Sequence, residues 1–334
     1  MNALRLDMKK IIGIFGLAIL AVIPLFFNKG YFLTIIFQAY LFAALASSWN
    51  IIGGLGGQIS FGHAVFFGVG AYTTAILFHD FRLSPWISMW IGAFISCLIG
   101  IVIAFPTFRL RGPFFSIATL IINELVLLLA LYFEDLTGGS QGIIIPYQPS
   151  FSNLIFENTM AYVYITFGFL LITVAISFFI LKSKLGYYLQ AIREDQDAAR
   201  ILGISPFWTK MSGFLISVWL TSMGGSIYAM YIRFIEPKYI FSVTEIGVMF
   251  ALMCMIGGMG TIAGPIIGAL IIVPIDMLLR GTLGGTIPGL NIVVFSVILI
   301  LFSLFFRQGI VGVVNEKVPL IDKVKPQILR KNEV

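Results

Sequence analysis

The chain has 334 residues, of which 59% are hydrophobic and only 11% charged, with a formal net charge of +6. A soluble domain carries about 25% charged residues, so these charges are too few to cover a water-facing surface, and a soluble fold is excluded. The excess Lys and Arg sit between apolar stretches and form no clustered aromatic-basic face, which argues against a nucleic-acid partner.

In chain order, apolar blocks fall at 11–27, 31–49, 63–78, 86–105, 113–133, 161–181, 211–232, 246–260, 262–279 and 291–306. A spanning helix needs about 20 apolar residues. The blocks therefore predict an all-α integral membrane protein, a polytopic helical bundle of about ten transmembrane segments. The shorter blocks predict broken or re-entrant helices. The first block follows MNALRLDMKK and looks like a signal sequence. No polar stretch or small-x-small cleavage site follows it, so a retained helix is expected. Cys97 and Cys254 both lie inside apolar blocks, against a disulfide framework. His63 and His79 fall near opposite membrane faces, and no metal site is predicted.

With the N-terminus in the cytoplasm and sides alternating, only Lys29, Arg82, Arg233, Lys238 and Arg280 of the 21 Lys and Arg residues fall outside. Cytoplasmic loops are the ones enriched in Lys and Arg, so both termini are predicted cytoplasmic. Residues 1–306 then form one transmembrane domain in contact with lipid, and 307–334 a charged cytoplasmic tail.

The long internal loop, 182–210, reads KSKLGYYLQAIREDQDAARILGISPFWTK. From Leu185 to Leu202 it predicts an amphipathic helix with an apolar stripe of Leu189, Ile192, Ala199 and Leu202. Gly203 and Pro206 end it. Such a helix suits a groove on a cytoplasmic partner, and the plain alternative is a solvated connector.

Asp197-Ala198-Ala199 followed by Gly203 resembles the EAA loop of ABC importer permeases, with Asp in place of Glu. Ala191-Ile192-Arg193-Glu194-Asp195 is similar to the permeases of branched-chain amino-acid importers, in particular their LivM-type subunit. Further resemblance lies in the run from Asn50 to His63, Gly70-Ala71-Tyr72, and Gly112 to Phe115 with Thr119 and Glu124. Thr137 to Gly142 and Ile256 to Gly268 complete the order, and the chain is identified as a member of that ABC permease family. The resemblance implies that Arg193, Glu194, Asp195, Asp197, Ala198, Ala199 and Gly203 couple to an ATPase. It also implies a bacterial or archaeal inner-membrane complex. Its other members would be a homologous second permease subunit, two cytoplasmic ABC ATPase subunits and an extracytoplasmic substrate-binding protein. The chain has no Gly-x-x-x-x-Gly-Lys-Ser/Thr phosphate loop, so ATP is expected on the partners, with no cofactor and no enzymatic activity here.

Polar groups inside apolar blocks are functional candidates. Gln58, Ser60 and His63 follow Gly53, Gly54, Gly56 and Gly57, and a broken helix there would offer its termini to a charged substrate. Tight helix packing is the competing reading. A nearly identical string carries Gly257, Gly258 and Gly260, and both sets are candidate hinge or packing glycines. Glu124, in the middle of the fifth block, would line a pathway or fix helix packing. The functional alternatives are a stand-alone secondary transporter and a same-family permease for urea, short amides or other amino acids.

Overall fold

The computed structural model describes residues 16, 18–27, 30–284, 289–305 and 309–317. It is a bundle of helices: α1 (Gly30–Asn50), α2 (His63–Phe81), α3 (Pro85–Thr107), α4 (Pro113–Tyr132), α5 (Thr159–Lys182), α6 (Lys184–Glu194), α7 (Gln196–Ile201), α8 (Pro206–Ile232), α9 (Val248–Gly257), α10 (Ala263–Leu283), α11 (Leu290–Phe305) and α12 (Gly309–Lys317). Proline at the first helical turn, where its missing N–H costs nothing, starts α3, α4 and α8. Asn158 caps α5 by accepting from Met160 N at 2.8 Å.

Among the described residues, eight helices are long and apolar enough to cross a membrane, with Leu290–Phe302 a shorter apolar stretch. These match the predicted blocks from the second onward. Of the first block, residues 16 and 18–27 are described, helical at 18–22 and ending in a 3-10 turn at Ile23–Phe26, while residues 1–15 and those beyond 317 lie outside the described residues. The block at 246–260 is broken as expected: a helical turn at Pro237–Ile240 and a π-helical turn at Val243–Gly247 precede α9. Beyond the predicted domain limit at 306, α12 packs on α9 and α10, and its Val311 is fully buried.

α8 sits centrally, packed on α2 and α3, while α1 packs on α5 and α10. Small polar residues seam these helices: Thr74 Oγ1 donates to Ser226 Oγ at 2.8 Å, and Ser96 Oγ to Ser222 Oγ at 2.9 Å. Lipid gives helices no hydrophobic reason to associate, so close backbone approach and such hydrogen bonds hold them. At the end opposite the Lys- and Arg-rich loops, β1 (Ile143–Ile144) pairs antiparallel with β2 (Phe234–Ile235), with Ile143 opposite Ile235.

Candidate functional site

At the basic end the chain leaves α1 through a π-helical turn, Ile51–Leu55, and stays irregular until His63. α9 ends at Gly257, followed by left-handed backbone at Gly258 (φ 132°) and Gly260 (φ 75°). The two similar Gly-rich strings thus come together. Asn50 joins them: its Oδ1 accepts from Gly260 N at 2.9 Å, and its Nδ2 donates to Thr261 O at 2.8 Å. A Cβ on Gly54 would lie 2.6 Å from Gly260 N, so only glycine lets the turns approach this closely. Gly53, Gly54, Gly56, Gly257 and Gly258 are buried, whereas Gly57 is exposed.

The loop at 182–210 closes over this junction. It is two helices, not the single helix predicted from Leu185 to Leu202. Asp195 is extended (φ −154°), and its Oδ1 accepts from Asp197 N at 2.8 Å and Ala198 N at 3.0 Å, capping α7. A side chain that satisfies the first amides of a new helix competes with continuing the old one. Leu189, Ile192 and Ala199 of the predicted stripe are buried. Leu202 is not: with Ile201 and Trp208 it faces outward, at 79%, 87% and 67% exposure. The turn after α7 is a Schellman motif, with Gly203 N donating to Arg200 O and Ile204 N to Ala199 O at 3.0 and 3.1 Å. Gly203 has φ 84°, the left-handed conformation that motif needs.

Arg193 is the joint. Its Nη1 donates to Gly54 O at 2.8 Å, and a Cβ on Gly260 would sit 2.7 Å from the same nitrogen. Its stem runs over Gly57, where a Cβ would lie 2.8 Å from Cγ. Asp197 points elsewhere, in a two-pronged pair with Arg111 at 2.9 and 3.0 Å. The Arg111 hydrogen bonds and charge hold the Asp197 carboxyl below the usual carboxylate range. Glu194 and Ala198 are exposed.

Of the candidate pathway residues, Ser60 and His63 meet, while Glu124 stands apart. His63 is fully buried between Ser60 Oγ, 3.1 Å from Nδ1, and Ser217 Oγ, 2.9 Å from Nε2. Ser217 gives its own proton to Ser48 O at 2.7 Å, so it accepts from His63 Nε2–H, and Ser60 donates to Nδ1. Gln58 lies nearby with its Oε1 buried and unpartnered. Glu124 is exposed on α4, and the inward-facing group beside it is Asn123, whose Nδ2 donates to Phe241 O at 2.6 Å. Sequence reasoning did not nominate Asn50, Arg111 or Ser217. Only Asn50 had a signal, its place at the head of the first Gly-rich string. Among the described residues, no three of His, Cys, Asp and Glu form a metal-sized cluster.

Residues 31–304 match the family described as the permease component of the branched-chain amino acid transport system. The high-affinity branched-chain amino acid transport system permease protein LivM of Salmonella typhimurium is 30% identical over 263 residues, covering 72% of this chain and 61% of that protein. Escherichia coli LivM is 29% identical over 266 residues with the same shares. The nucleoside ABC transporter permease protein NupC of Lactococcus lactis is 28% identical over 254 residues, covering 71% and 77%. The chain thus spans about three-fifths of the length of these LivM proteins. No solved structure matches it. With nearly the whole described bundle inside the matched region, the chain belongs to the family of branched-chain amino acid transport system permease components.

Proposed function

We propose that this chain is the membrane subunit of an ATP-driven importer in a bacterial or archaeal cytoplasmic membrane, passing branched-chain amino acids. It would work with a second, homologous permease, two ABC ATPases and an extracytoplasmic binding protein. The observation that carries this reading is the α6–α7 hairpin. Its Leu189, Ile192 and Ala199 are buried on the bundle, its Ile201 and Leu202 face outward beside Trp208 of α8, and Arg193 binds Gly54 O close against Gly260. A partner that grips the tip and moves would shift two spanning segments together, through an element with two packings. The energy would come from ATP on the partner. The relatives named for branched-chain amino acids favour that substrate, and the one named for nucleosides is the competing class.

Affinity purification of the tagged chain from its native membrane tests this. Recovery of ATPases and a second permease, lost on Gly203→Asp, is the expected result. Recovery of the chain alone, still transporting in liposomes without ATP, would replace it with a solitary secondary transporter.

A further inference from the structure

A cleft of about 340 Å³ opens between α1, α10 and the Pro237–Ile240 turn, at the end opposite the coupling hairpin. Its size is that of a small-molecule site. It reaches Gln38, eight residues into α1, or about 12 Å below the helix end at 1.5 Å per residue. Two charged groups of α10, Asp276 and Arg280, line it. Arg280 Nε bonds both oxygens of Asp276 at 2.9 Å, and Arg280 Nη2 reaches Glu245 Oε2 at 2.6 Å.

This trio does more than hold helices together. One Arg against two carboxylates leaves a net negative charge beside the cavity, and each carboxylate has acceptor sites left over. The bonds shown commit two of the five Arg280 N–H groups, and the others remain available together with the Gln38 amide, which makes no hydrogen bond among the described residues. Charges at membrane depth belong against water or protein rather than lipid. A neutral solute gains little from such a lining. A molecule with an ammonium and a carboxylate on one carbon satisfies both sides.

We propose that this cleft is a recognition site for a small zwitterion arriving from the extracytoplasmic side. Asp276 faces its ammonium, while Arg280, held in place by Glu245, and Gln38 face its carboxylate. The assignment rests on the permease reading above for its orientation and purpose. A phosphatidylethanolamine headgroup shares this chemistry, so the test separates lipid from solute.

Met277→Cys places a reporter thiol in the cleft lining, and labelling by a membrane-impermeant maleimide is followed on the assembled complex in phosphatidylcholine nanodiscs. L-Leucine at some ten times its Kd should slow labelling about tenfold. Leucinamide, which lacks the carboxylate, 4-methylpentanoate, which lacks the ammonium, and uridine should not. Asp276→Asn should abolish the protection while ATPase copurification persists. Absence of labelling, equal protection by uridine, or protection only when phosphatidylethanolamine is added would each overturn the proposal. Loss of copurified ATPase in the unaltered chain would instead overturn the permease reading, a separable outcome.

Discussion

Arg193 and Gly54 lie 139 positions apart in sequence, and a single 2.8 Å hydrogen bond from guanidinium to carbonyl joins the hairpin to the foot of α1. Arg193→Ala removes the bond and the stem packed on Gly57. The expected outcome is a complex that still holds and turns over its ATPases but transports at least about tenfold less, the loss of roughly one hydrogen bond to a charged group. ATPase and uptake assays on one reconstituted sample check this. A parallel fall in both activities would make Arg193 a docking residue instead.

Asn50→Leu leaves Gly260 N and Thr261 O without their side-chain partners. Each unsatisfied buried group costs about 1–3 kcal/mol. The detergent-solubilised protein should melt several degrees lower, and hydrogen exchange should rise at 258–262 before it rises in α2. Uniform loosening of the bundle would show that Asn50 is not a local clamp.

The Asp197–Arg111 pair predicts a pH and salt response. Because Arg111 lowers the Asp197 pKa, the pair is intact above the ordinary Asp range and is lost only as acid takes pH down through the lowered value. Arg111, whose pKa is raised by Asp197, stays charged throughout. ATPase retention should therefore be flat across neutral pH. It should weaken with salt, since both groups are exposed and screening shortens from about 10 Å at 0.1 M to about 3 Å at 1 M. Asp197→Arg should weaken retention, and adding Arg111→Asp should restore it.

His63→Phe keeps ring volume among Trp49, Phe66 and Phe214 but strands the Ser60 hydroxyl, at about 1–3 kcal/mol. His63→Ala adds a cavity and should cost more, roughly 3–5 kcal/mol by analogy with buried rings. Thermal melts should rank wild type above Phe and Phe above Ala. Unchanged melts with weakened substrate uptake would place His63 on the pathway.

The spans from α1 onward were legible because apolar length and Lys/Arg asymmetry are local signals. So was the hairpin's stripe, although its break was not. Asp195 could equally be read as a solvated helix residue or as a cap, and only the backbone decides. The two Gly-rich strings were visible as near-copies, but their meeting depends on Asn50 reaching across 210 positions to Gly260, which no window of sequence contains. Glu124 and Asn123 show the same limit. Both are polar and mid-helix, yet one faces out and one in, and that choice belongs to the packing of α4.

The outward carboxylate of Glu124 bears on the birth of the protein as well as its work. α4 is the least enclosed of the spanning helices together with α10, at 22% buried for each. An acidic group on such a surface suits bare hydrocarbon poorly. If the chain pairs with a second permease as proposed, a newly made copy without it would display a polar blemish to the lipid. Pulse-chase turnover should accordingly slow when the companion is coexpressed, and slow without it in Glu124→Leu.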